Sequence, residues 1–131
     1  MLERETPLVY LKNITKIYGF HKALNNVSFD LNKGEVHCLV GENGAGKSTL
    51  IKILSGAIAP DAGEIYINGQ HFRSLTPRRA IELGISTIYQ DAELVDSLTV
   101  ADNIFLGSEL SSKVSFLVDK KNQIKRAQEI I

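Results

Sequence analysis

The sequence has too few cysteines for an internal disulfide. Cys38 stands alone among 131 residues, which suits a reducing compartment. Nor is there an excess of either charge: 15 Lys and Arg balance 15 Asp and Glu. Whole-chain charge therefore gives no reason to expect a nucleic-acid or bilayer partner. No apolar run approaches the roughly 18 residues that a membrane-spanning helix needs. The start, Met1-Leu2-Glu3-Arg4-Glu5, is charged where a secretory leader would be apolar, so a cytosolic location is the default expectation. His21, His37 and His71 lack the spacing of metal ligands. There is no internal repeat, no low-complexity tract and no sustained heptad pattern. What remains is ordinary globular material, 44% apolar and 23% charged, long enough for one domain with a real core.

Against that plain background one stretch is chemically specific. Gly41-Glu42-Asn43-Gly44-Ala45-Gly46-Lys47-Ser48-Thr49 has the spacing G-x-x-x-x-G-K-[ST] of a phosphate loop. The glycines allow positive φ and a close approach of backbone to ligand, and successive N–H groups then form a nest for anionic oxygens. Lys47 adds a full positive charge and Ser48 a hydroxyl suited to a magnesium ion. A helix opening at Lys47 would aim its positive dipole end at the same anion. The context fits. Val36-His37-Cys38-Leu39-Val40 before the loop reads as a short buried parallel strand, with Cys38 as a small buried apolar group. After it, Leu50, Ile53 and Leu54 share one helical face.

In chain order, Leu8 to Ile14 reads as a strand, and Gly19 breaks the next segment with Tyr18 at the edge of a turn. Val27, Phe29 and Leu31 alternate on one face of a second strand. The short turn Asn32-Lys33-Gly34 leads into Val36–Val40, which predicts an antiparallel pair. Pro60-Asp61-Ala62-Gly63 marks a turn before a strand, Glu64 to Asn68, that ends in an Asn-Gly turn signal. Thr76 can cap a helix with Pro77 in its first position, running to Leu83 and stopping at Gly84. Ile85 to Tyr89 reads as a buried strand ending at Gln90. Val100 to Leu106 forms a short helix closed by Gly107, and a last helix starts at Asp119 with Ile124, Ala127 and Ile131 on its apolar face. The class is α/β: a phosphate-loop core with a partial parallel sheet and helices, plus an antiparallel portion.

These blocks together resemble the ATP-binding subunit of ABC transporters, most closely the monosaccharide-import branch that takes up ribose or galactose. The resemblance covers nearly the whole chain. It rests on Ile17-Tyr18-Gly19, Ala23-Leu24-Asn25-Asn26-Val27-Ser28-Phe29, Gly34-Glu35-Val36-His37 and the phosphate loop. It continues through Lys52-Ile53-Leu54-Ser55-Gly56, Pro60 to Ile65, Ile88-Tyr89-Gln90 and Leu98 to Gly107. The resemblance implies that Tyr18 stacks on adenine, and that Gly41 to Thr49 cradle the phosphates of ATP. It places Lys47 on the β and γ groups and Ser48 on Mg2+. Gln90 matches the glutamine that reaches Mg2+ and the attacking water, which makes Lys47 and Gln90 the candidate catalytic residues. Residues 90–107 should then contact a membrane permease. The implied partners are that permease, a second ATP-binding domain and, indirectly, a sugar-binding protein; the implied location is peripheral, at the inner face of the cell membrane. Asp91, Glu93, Asp96 and Asp102 lie near Gln90, and none is assigned as catalytic base. Arg73, Arg78, Arg79, Lys113, Lys120, Lys121, Lys125 and Arg126 read as solvated charge.

The same resemblance brings out what is missing. The family completes its catalytic site with a Leu-Ser-Gly-Gly-Gln signature, an Asp-Glu pair ending an apolar strand, and a switch histidine. None occurs here; Leu54-Ser55-Gly56 belongs to the phosphate-loop helix. Residues 1–131 are therefore expected to be the first half of one nucleotide-binding domain, a truncated gene product or a piece of a longer one, that binds nucleotide and hydrolyses little. The alternative is a non-hydrolysing remnant or regulatory nucleotide-binding module. Other phosphate-loop lineages, a metabolite kinase or a repair ATPase, fit less well. In the family, the strand with the Asp-Glu pair lies beside the phosphate-loop strand. Without it Val36–Val40 would present a hydrophobic edge prone to association.

Overall fold

The computed structural model describes residues 6–88, 94–110 and 117–131. The chain divides into two compact units, Met1–Thr87 and Ile88–Ile131.

In the first unit, alternation of apolar and polar residues builds an antiparallel sheet. Its strands are β1 (Val9–Tyr18), β2 (His21–Leu31), β3 (Ala62–Ile67) and β4 (Gln70–Phe72), in the order β2-β1-β3-β4. Val9 and Leu11 on β1 and Ile65 and Ile67 on β3 point to one face and are buried. Tyr10, Lys12, Glu64 and Tyr66 alternate to the other. There the Tyr10 and Tyr66 rings stack at 6.0 Å and the Lys12 ammonium meets the Glu64 carboxylate at 3.3 Å. Between Leu11 and Ile14 the register of β1 slips, which returns Ile14 to the core. Asn13 and Asn26 take positive φ at these irregularities, and the side chains of Ser28 and Thr15 accept their N–H groups at 3.0 and 3.1 Å. The bulged strands twist more sharply as a result.

Helix α1 (Lys47–Leu54) supplies Leu50 and Ile53 to the same core as Leu11, Ile14, Leu24, Ile65, Ile67 and Leu75. Truncating fully buried Ile53 to Ala would cost about 2–5 kcal/mol. Asn68-Gly69 joins β3 to β4 as the turn signal predicts, both residues at positive φ. Helix α2 (Pro77–Glu82) begins where predicted: the Thr76 hydroxyl accepts the Arg79 N–H at 3.2 Å.

Three expectations fail. Val36–Val40 forms no strand, Val36 and Val40 are each 92% exposed, and Cys38 is exposed rather than buried. The antiparallel pairing predicted across Asn32-Lys33-Gly34 is absent too. The partner of β2 is β1, along its full length from Tyr18↔His21 to Val9↔Leu31. The Glu35 carboxylate closes the turn instead, accepting the Asn32 N–H at 2.8 Å. The reason is general: a parallel strand holds its N–H and C=O groups only between neighbours, and among the described residues none pairs with 36–40. Likewise 85–88 is not a strand, and Tyr89 lies outside the described residues.

The second unit holds α3 (Val100–Ile104) and α4 (Lys120–Ile130), each starting where predicted and each with a side-chain cap: Thr99 accepts the Asp102 N–H and Asp119 the Asn122 N–H. The apolar face of α4 differs from the prediction. Gln123 and Ala127 are buried while Ile124 and Ile131 are exposed. Polar pairing decides this. The Asp102 carboxylate on α3 accepts hydrogen bonds from the Lys120 ammonium and, at 2.9 Å, from the Gln123 amide, so α4 turns Gln123 inward.

Candidate functional site

The loop 41–46 runs directly into α1. Gly44 and Gly46 have φ of 86° and 89°, the left-handed region that excludes most other residues. Gly46 is buried against β2, and a Cβ on it would lie 2.4 Å from the Ala23 carbonyl oxygen and 2.7 Å from a Leu24 methyl. The Ala45 N–H donates to the Glu42 carbonyl at 3.2 Å, and the Leu50 N–H starts the helix on the Gly46 carbonyl at 2.9 Å. As N-cap, Gly46 offers no side-chain acceptor to the first turn of α1. The first N–H groups of the helix are therefore left for an anion.

Lys47 supplies the charge. It is half-buried, and its ammonium donates to the carbonyl oxygens of Gly41 at 2.6 Å and Glu42 at 2.7 Å. The cation thus lies across the loop, held by neutral acceptors that a phosphate oxygen would outcompete electrostatically. Ser48 is exposed and Thr49 half-buried. Glu42 and Asn43 are exposed. The donor set fits a polyphosphate and a hard cation: backbone N–H groups, one ammonium and one free hydroxyl.

Tyr18 ends β1 at the hairpin tip, 47% exposed and paired across the turn with His21. Two steps along β2 from His21 is Ala23, in contact with Gly46, so about 7 Å of strand links the aromatic to the phosphate loop. The structure joins the strand that follows Tyr18 to the loop 41–49 through the Ala23–Gly46 contact. Gln90, Asp91 and Glu93 lie outside the described residues.

Several of the remaining candidates are engaged elsewhere, and Lys113 lies outside the described residues. His37 bonds Glu35 at 3.0 Å and lies edge-on to Phe29, while Arg78 and Arg79 pair with Glu82. Asp102 has its carboxyl held below the usual range, chiefly by Lys120 and then by Thr99. Three residues emerge that sequence reading passed over. Lys16 and Asp61 frame Tyr18. Asn103 staples the turn before α3: its side-chain oxygen accepts the Val95 N–H at 2.8 Å and its amide donates to the carbonyls of Val95 and Thr99 at 3.1 and 3.2 Å. The staple shapes an apolar groove of about 420 Å³ lined by Leu94, Val95, Leu98, Val100 and Ile104. The only sequence signal nearby is the Thr99-x-x-Asp102 cap.

The chain matches known proteins throughout its length. The profile described as "ABC transporter" matches residues 24–131. A ribose import ATP-binding protein of Escherichia coli O157:H7 is 48% identical over 126 residues, 96% of this chain and 24% of that protein. One from Rubrobacter xylanophilus is 49% identical over 125 residues, 95% of this chain and 25% of that protein. The chain spans about a quarter of the length of these curated relatives. Among solved structures, an ATP-binding cassette of an ABC transporter superposes with TM-score 0.76 at 27% identity, covering 95% of this chain and 53% of that one. A dimeric cassette in a post-hydrolysis state with ADP and Pi superposes with TM-score 0.70 at 27% identity, covering 92% and 54%.

Proposed function

Since the chain belongs to the ABC transporter family, we propose that it is the nucleotide-binding front of a sugar-import ATP-binding protein. The observation that carries this reading is the Lys47 ammonium lying across a left-handed glycine loop at the start of α1. On arrival of ATP, Lys47 would leave the Gly41 and Glu42 carbonyls for the β- and γ-phosphate oxygens, and the N–H groups of residues 44–49 would hold the rest. Ser48, with Gln90, would hold Mg2+, whose charge when bound offsets that of the phosphates. Gln90 would also orient the attacking water. The adenine would stack on Tyr18, worth about 1–3 kcal/mol.

For the whole protein, the ribose-import names of its relatives support MgATP hydrolysis coupled to monosaccharide uptake. We place the permease contact at residues 90–107, where the Asn103-stapled groove offers an apolar seat. A second ATP-binding domain completes the working dimer, as in the dimeric cassette, and a sugar-binding protein delivers cargo. The protein would work peripherally at the cytoplasmic face of the membrane. Residues 1–131 alone, without signature motif, Asp-Glu pair or switch histidine, would bind nucleotide with little turnover.

Calorimetric titration with MgATP tests the site, alongside phosphate release. Lys47→Ala should weaken binding at least about tenfold, the scale of a charge-assisted hydrogen bond, and phosphate release should stay near background. Unchanged affinity in Lys47→Ala would overturn the assignment, and rapid turnover would overturn the role given to the missing motifs.

A further inference from the structure

Tyr18 is framed by its neighbours. Residues 16 and 18 share a face of β1, and the Lys16 ammonium stands 5.7 Å from the centre of the Tyr18 ring, within cation–π range. A lysine on a strand end is ordinarily free to swing in water. This one is not: its side chain is only 15% exposed, and its ammonium donates to Asp61 Oδ1 at 3.1 Å. The other oxygen of Asp61 accepts the Ile17 N–H at 2.7 Å, and the Asp61 N–H donates to the Thr15 carbonyl at 2.9 Å. Asp61, in the turn before β3, therefore fastens three consecutive residues immediately ahead of Tyr18: Lys16 and Ile17 through its carboxylate and Thr15 through its backbone N–H.

The consequence concerns the ring. A cation held on one face leaves the opposite face for a flat partner. A side chain already fixed loses less freedom when that partner arrives. We propose that Lys16 and Asp61 are positioning residues for a base platform: Lys16 backs one face of Tyr18 so that the other meets the base of a bound nucleotide, and Asp61 holds Lys16 in place. The inference rests on the reading of Tyr18 as the base-stacking residue. Neither residue touches the nucleotide. Both should influence recognition of the base and not of the phosphates.

The test uses the full chain and two ligands, MgATP and magnesium tripolyphosphate, which share the phosphate chain but not the base. Lys16→Met removes the cation and keeps the stem. Asp61→Asn keeps an acceptor for the Ile17 N–H and loses the ion pair. Both should weaken MgATP about 3- to 10-fold and leave tripolyphosphate unchanged, and Lys16→Arg should restore the wild-type ratio between the two ligands. A merely structural role would weaken both ligands together, and that result overturns the proposal. It is equally overturned if Tyr18→Ala weakens MgATP while Lys16→Met does not. If Tyr18→Ala itself leaves MgATP binding intact, the base-stacking reading falls first and takes this inference with it. Should Asp61→Asn fold poorly, Lys16→Met and Lys16→Arg decide the question, since Lys16 uses no backbone group.

Discussion

Gly46 and Ala23 lie so close that a single added carbon on Gly46 would sit 2.4 Å from the Ala23 carbonyl oxygen. This contact joins the phosphate loop to the strand that leads back to Tyr18, and it leaves no room for a side chain in the loop. Gly46→Ala combines that clash with a φ of 89°. It should lower stability by about 2–4 kcal/mol and weaken MgATP binding as the loop moves off β2. Urea unfolding and calorimetry check both; an unchanged midpoint would show that the strand yields instead.

Acid should loosen the sheet. Asp61 has its carboxyl held below the usual range, first by the Ile17 N–H and then by Lys16. Glu64 is held low first by the Tyr66 hydroxyl and then by Lys12. When the folded-state pKa is the lower one, the unfolded chain takes up protons first as pH falls. The stabilisation is thus complete above about pH 4.5 and is lost as pH drops through the folded values. Both side chains are exposed enough for solvent to keep the slope shallow. Denaturation midpoints between about pH 6 and pH 3 should fall, less steeply in Glu64→Gln. A pH-independent midpoint would count against these pairs.

Asn103 should matter locally. Asn103→Ala removes the staple on residues 95–99, at a cost of about 1–3 kcal/mol. Amide exchange should quicken at Val95 and Leu98, while MgATP affinity stays at the wild-type value because Asn103 has no part in the nucleotide site. Unaltered exchange at those amides would mean that α3 and its cap hold the turn unaided.

The exposed valines at 36 and 40 should drive self-association, since apolar backbone without strand partners recruits another chain. Replacing both with Ser should shift light scattering at high protein concentration toward the monomer. No difference from wild type would place any association elsewhere.

The local signals in this sequence were legible because they act through neighbours in the chain. The helix opening at Lys47 after the glycine loop, the cap at Thr76, the helix starts at Val100 and Asp119, the Asn68-Gly69 turn and the Leu50/Ile53 face all stand where predicted. Each depends on bonds or contacts spanning a few residues. Residues distant in the chain decided the rest. Val36–Val40 has the composition of a buried strand, yet a strand exists only where another pairs with it. The face of α4 followed the Asp102–Gln123 bond rather than its isoleucines. Lys16 and Asp61 are 45 residues apart, and only the folded sheet brings them together beside Tyr18. Sequence alone determined that a glycine loop opens a helix at Lys47, because backbone and spacing suffice for that. Tertiary structure determined what backs the aromatic and braces the loop, because those contacts cross from one strand to another.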